Sequence, residues 1–268
     1  MDTNLALTLL NGDSSWLIEV DGTRLLLDPW LEGDAIVFAR PIHVAHLGRP
    51  AIRVEDLPPV DALVISHPFA DHCNKPTLRK LPRDLSVYTP VVAVPWVKML
   101  GGFKNVTALP DCTKGRKPVA VGNLTLAWCR AAATFDTTHN ALIVRGAKSG
   151  TTVMYCPHAL LLEGPTIEAV ERELGGRLDA LLCSFNHLWL PGHLGGVANL
   201  GVDAAVGIAS RFSARYVFST HDSEKPDSGY IARQSKMTYC KDMAAALSGR
   251  APTSQPVFPA TAVRWQPA

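Results

Sequence analysis

The chain has 268 residues, 47% hydrophobic and 19% charged, with 26 basic and 24 acidic side chains and a formal net charge of +2. That is enough apolar material for one large core, so 1–268 is read as a single domain. The near balance of charge argues against a polyanion partner such as nucleic acid, and no apolar run reaches the ~20 residues that span a bilayer.

In chain order, residues 5–10, 15–20 and 24–28 read as short strands. Asn11-Gly12-Asp13 and Asp21-Gly22 separate them, and such residues accept the positive φ of hairpin turns. Residues 31–58 carry Gly33, Pro41, Gly48, Pro50 and Pro58 at irregular spacing and read as a long loop covering a site. His43 and His46 within it are read as exposed. Residues 62–66 form the next strand, followed by a helix at 76–81, a strand at 85–88 and a helix at 91–100 stopped by Gly101-Gly102. Strands follow at 106–109, 119–121, 124–129, 141–145 and 152–156. Ile167, Val170 and Leu174 recur at helical spacing, giving a helix over 167–174 that Gly175-Gly176 ends. A buried strand at 180–185, a helix at 203–212, a strand at 215–219 and a helix at 241–249 complete the regular part. The proline-rich 251–268 reads as irregular apart from a strand near Val263.

The six cysteines form no Cys-x-x-Cys pair, so a zinc ribbon is not indicated, and reduced thiols are expected. Met1-Asp2-Thr3-Asn4 opens no secretory leader pattern. A soluble, cytoplasmic protein is the expectation, with a small-molecule substrate and no membrane partner. The oligomeric state is not legible.

The chemistry concentrates in His67-Pro68-Phe69-Ala70-Asp71-His72, directly after the apolar run Ala62-Leu63-Val64-Ile65. The run reads as a buried strand opening into a loop. That loop places His67, Asp71 and His72, three candidate metal ligands, within six residues. The competing reading is a turn in which Asp71 caps the next helix. Of nine histidines, His67, His72, His158 and His221 stand at or just past strand ends, where α/β arrangements place their sites. His139 precedes a strand, while His187 and His193 follow a core strand. Neutral imidazole suits zinc, manganese or iron.

The hexapeptide resembles the His-x-His-x-Asp-His signature of the metallo-β-lactamase superfamily, with Phe69 replacing the second histidine. The resemblance implies an α/β (α+β) fold: a four-layer αββα sandwich of two mixed sheets over roughly residues 5–240. It implies a divalent transition metal, zinc first with manganese or iron open, held from among His67, Asp71, His72, His139, His158 and His221. His221 in Ser219-Thr220-His221-Asp222 matches the late strand-end histidine. His158 in Tyr155-Cys156-Pro157-His158 stands where the superfamily commonly has Gly-Asp. The match of His139 is positional. Phenylalanine cannot ligate, so one dominant metal is expected. Asp28 in Leu25-Leu26-Leu27-Asp28-Pro29-Trp30 resembles the Ile-Asp-Pro turn of the lactonase-like branch, whose aspartate orients a ligating histidine; a turn cap is the alternative.

The implied activity is metal-dependent hydrolysis of an ester, lactone or phosphoester. Asp71 would hold or deprotonate the water, and His187 and His193 would serve as proton donors or substrate contacts. Two other readings stand beside it. One is a non-catalytic binding member, favoured by Phe69 and Pro157-His158. The other is an iron oxidoreductase on the same fold. Gly192-His193-Leu194-Gly195-Gly196 lacks the Lys-Ser/Thr ending of a phosphate loop, and no Gly-x-Ser-x-Gly elbow occurs.

Overall fold

A computed structural model describes residues 4–47, 52–131 and 136–267. Strands with apolar side chains on both faces need cover on both, and the chain supplies it by stacking two mixed seven-stranded sheets with helices outside. In the first sheet the order is Arg264–Trp265, Leu5–Leu9, Trp16–Val20, Thr23–Leu27, Ala62–Val64, Ser86–Pro90 and Asn105–Leu109. In the second it is Gln255–Val257, Tyr216–Ser219, Ala180–Cys183, Thr152–Cys156, Ala141–Gly146, Leu124–Cys129 and Val119–Val121.

The period of two decides which side chain goes where. Leu25 and Leu27 point into the core between the sheets, beside Trp16, Leu126, Leu182 and Phe218. Leu26 points the other way, against Leu78 and Val97 of the helices Lys75–Lys80 and Val94–Gly101. In the second sheet Leu181 and Cys183 likewise face the helices Gly164–Leu174 and Val202–Arg211, packing on Val170 and Ile208. Both faces being buried explains why these strands read as continuous apolar runs rather than alternating ones.

The helices Lys75–Lys80, Gly164–Leu174, Val202–Arg211 and Met243–Ser248 fall within a few residues of expectation. The helix expected at 91–100 starts later, at Val94, because Pro95 needs the first turn. The cap of Lys75–Lys80 is Asn74, whose side chain accepts from Thr77 N at 3.0 Å, so Asp71 does not serve as its cap.

Two expectations are corrected. Residues 31–58 are not one loop. Ala35–Val37 and His43–Ala45 pair with each other, and Asp227–Ser228 joins them in a small antiparallel sheet. Three-residue strands carry too few positions for a periodic signal. His43 is accordingly half-buried rather than exposed, and His46 is held by Asp34 at 2.8 Å. The tail is also more regular than expected, since Gln255–Val257 joins the second sheet and Arg264–Trp265 the first. A further small sheet contains His187–Trp189, Val197–Leu200 and Lys236–Thr238. Among the described residues no helix is long and apolar enough to cross a membrane.

Leu182 is fully buried between the sheets. Leu182→Ala should lower unfolding stability by about 2–5 kcal/mol through lost burial and the cavity left behind. Chemical denaturation checks this, and a loss below about 1 kcal/mol would mean that the sheets repack freely there.

Candidate metal centre

Parallel pairing aligns strand ends. Thr23–Leu27 runs parallel to Ala62–Val64, so Asp28 comes to lie beside Ser66. Thr152–Cys156, Ala180–Cys183 and Tyr216–Ser219 are also parallel, so the segments after Cys156, Cys183 and Ser219 emerge at one edge. His67, Asp71 and His72 arrive from the first sheet and His158 and His221 from the second. The expected site residues at these strand ends therefore meet, although they lie far apart in sequence.

Two groups of ligand atoms converge: His67 with His72 and His158, and Asp71 with His72 and His221, the atoms of each group lying within 4.8 Å of one another. The rings of His72 and His221 are 4.9 Å apart, and those of His158 and His221 4.8 Å. His67 and His72 are wholly buried, while Asp71 keeps 21% of its side chain exposed.

Asp28 anchors the arrangement. It is fully buried, and Oδ2 accepts from His72 Nδ1 at 2.7 Å and from the Tyr155 hydroxyl at 2.9 Å. Its Oδ1 accepts from Ser66 N at 2.6 Å, and the Ser66 hydroxyl also contacts Oδ2. Burial, the largest single influence, would raise its pKa, but His72, His67 and the Ser66 hydroxyl together outweigh it and hold the carboxyl below its ordinary value. An ionised Asp28 requires a proton on His72 Nδ1, so in the neutral ring, the form a metal binds, Nε2 keeps its lone pair. Asn199 does the same for His158, its Oδ1 lying 2.7 Å from Nδ1. Burial pushes the His158 pKa well below its ordinary value and keeps the ring neutral.

The Nε2 atoms of His72, His158 and His221 are all buried and lack a hydrogen-bond partner. Each such orphan costs on the order of 1–3 kcal/mol, and a metal ion would relieve all three at once. His221 Nε2 lies 3.2 Å from Asp71 Oδ2, and Asp71 Oδ1 is 3.9 Å from His72 Nε2. The residues therefore fit a transition metal: three borderline nitrogen donors and one carboxylate. Although burial works against it, the imidazoles of His72 and His221 hold Asp71 ionised, well below the usual carboxylate range.

His67 differs. Its Nδ1 lies 2.6 Å from the Ser66 hydroxyl and its Nε2 2.7 Å from the carbonyl oxygen of Thr138, with the side-chain amide of Asn140 2.9 Å from the same nitrogen. Its Nε2 is therefore already partnered, unlike the Nε2 atoms of His72, His158 and His221. Burial, reinforced by His72, pulls the His67 pKa down to about 3. Phe69 stacks near its ring at 6.1 Å.

His139 is in neither group. Its Nδ1 is held by Asp136 at 2.7 Å, while its Nε2 is buried without a partner. His187 lies half-buried in a strand, and His193 is exposed with Nε2 3.2 Å from the Tyr230 hydroxyl. Among the described residues neither lines the cavity over the site, whereas the neighbouring Leu188 and Leu194 do.

That cavity has a volume of about 450 Å³, with Asp71, His158 and His221 among its lining residues and Leu188, Leu190 and Val197 in its walls. Lys225 also lines it, 2.6 Å from the buried Asp13 and 3.2 Å from His221 Nδ1. Asn199 and Asp13 carried no sequence signal, because each reaches a histidine from a remote short strand or loop, and Lys225, four residues after His221, belongs to no motif.

The profile of the β-lactamase superfamily domain matches residues 8–221, and the chain belongs to this superfamily, with its metallo-hydrolase fold. Two solved structures resemble it over nearly their whole length. An isothiocyanate hydrolase from Delia radicum gut bacteria has a TM-score of 0.68 at 16% identity, covering 97% of this chain and 98% of that one. A possible metal-dependent hydrolase from Veillonella parvula has a TM-score of 0.67 at 15% identity, covering 98% and 99%. The diiron β-hydroxylase CmlA from Streptomyces venezuelae has a TM-score of 0.61 at 15% identity, covering 82% of this chain and 45% of that one. No curated protein matches the sequence. At these identities the likeness concerns the fold.

Asp28→Asn removes the charge that orients His72. Zinc affinity should fall about 10–100-fold, the usual cost of losing a carboxylate behind a ligating imidazole. A competition titration with a chromophoric chelator measures this; unchanged affinity would show that Asp28 only buttresses the turn.

Proposed function

We propose that this protein is a metal-dependent hydrolase of a small ester, lactone or phosphoester. One observation carries the reading: three buried imidazoles with unpartnered Nε2 atoms and an ionised carboxylate gather where a cavity of ligand size opens. The structural likeness to an isothiocyanate hydrolase and to a possible metal-dependent hydrolase supports it, and adds isothiocyanates to the substrates worth testing.

Asp71, His72, His158 and His221 would hold one ion, with zinc the first candidate. When bound, such an ion polarises a substrate oxygen and lowers the pKa of water to ~7. Asp28 and Asn199 fix the ring orientation and tautomer of His72 and His158. Asp71, the most exposed of the four, presents a carboxylate that can orient a water and accept its proton. The leucines and Val197 keep bulk water from the reacting atoms. His67 serves as a strut: its contacts with Ser66 and Thr138 join the motif loop to the loop ahead of Ala141–Gly146. The proton step is assigned to Asp71, and none is given to His187 or His193.

Zinc-loaded protein analysed by mass spectrometry for metal content should hold one ion per chain. His72→Ala should lose most of it, and His67→Gln should retain it. Full occupancy in His72→Ala, or loss in His67→Gln equal to that in His72→Ala, would contradict the ligand set. A panel of an ester, a lactone, a phosphodiester and an isothiocyanate tests the activity. Hydrolysis should vanish on chelation and return with metal; turnover that survives complete metal removal would sink the reading.

A further inference from the structure

The walls of the cavity bear on what kind of molecule enters. Apolar side chains come from both small sheets and the segments between their strands: Val37 and Phe38 from one side, Leu188, Leu190, Leu194 and Met237 from the other. Phe38 is 84% exposed and held at a φ of +62°, a conformation that costs a bulky side chain energy. An aromatic ring kept at the mouth of a cavity, wet and in a strained turn, is apolar area available to a ligand.

The charges in the cavity are already matched by the protein. Among the described lining residues the one ammonium, Lys225, is neutralised by Asp13 at 2.6 Å, and no arginine is present. Asp227 lies 3.5 Å from His43, and Asp71 faces His221. Among the described lining residues the carboxylates, Asp71 and Asp227, outnumber the one ammonium, Lys225, two to one. No surplus positive charge remains to meet an anion, and an unpaired charge buried against leucine and phenylalanine is costly.

We propose that the substrate is an uncharged molecule with an apolar body, an ester- or lactone-like electrophile rather than a phosphoester or a carboxylate-bearing ester. The apolar body lies between Phe38 and the leucines, and the electrophilic carbon faces Asp71. This rests on the hydrolase reading and narrows it.

The test compares p-nitrophenyl butyrate with mono-p-nitrophenyl succinate on the metal-loaded full chain. The two share a leaving group and a four-carbon acyl chain and differ by one terminal carboxylate. The neutral ester should have a kcat/KM higher by about a hundredfold, the discrimination expected from burying an unpaired charge. Leu188→Lys, which adds an ammonium to the wall, should narrow that ratio about tenfold. Equal hydrolysis of the two esters, or preference for the succinate, would overturn the proposal.

Hydrolysis of neither ester would count against the hydrolase reading, and the proposal is then decided by binding. Isothermal titration with the uncleaved amides butyranilide and succinanilic acid should show binding of the first, weakened several-fold in Phe38→Ala. Tighter binding of the acid, or no binding of butyranilide, would overturn it.

Discussion

The candidate centre depends on the ionised carboxylate of Asp28. A carboxylate with no solvent exposure is costly unless each lone pair finds a donor. Here the donors come from three places: Ser66 just past the neighbouring parallel strand, His72 in the motif loop and Tyr155 from the opposite sheet. The side chain therefore ties the register of the first sheet, the conformation of the loop and the apposition of the two sheets into one requirement. It is held at a φ of +45°, in the left-handed region where aspartate is among the few tolerated residues, and its N–H donates to Val64. The tautomer of His72, and with it the direction of a free Nε2, follows from that charge.

The donor set spans the sandwich. Asp71 and His72 follow the strand Ala62–Val64 of the first sheet, and His158 and His221 follow strands of the second. An ion held by all four would bind the folded chain and not the unfolded one, so its affinity would add to stability. Around it, other polar contacts already cross the same gap. Trp16 Nε1 donates to Thr220 at 2.8 Å, and His221 N donates to Asp13 O at 2.9 Å while its residue sits at a φ of +62°. Asp222 accepts from Ser184, Phe185, Asn186 and Ser219, pinning the loop after Ala180–Cys183 to the loop that carries His221.

Much of this was legible in the sequence for physical reasons. Strands buried on both faces write long apolar runs, and residues just past such runs had to gather at one edge once the strands were parallel. That made His67, His72, His158 and His221 readable together, and the Leu-Asp-Pro turn pointed to Asp28. What stayed hidden has equally specific causes. The small sheets over the cavity are built from strands of two to four residues, too short for periodicity. Asn199 reaches His158 across 41 residues from one of those strands, and no motif accompanies it. The fate of His67 also could not be read, because a histidine whose Nε2 is already partnered by Thr138 and Asn140 and one ligating a metal are written with the same letter.

Anomalous diffraction from crystals of the zinc-loaded protein tests the central claim most directly. The account predicts one strong peak per chain, within bonding distance of Asp71 and of Nε2 of His72, His158 and His221, with His67 still on the Thr138 carbonyl. A peak bonded to His67, or a second one beside it, would contradict it.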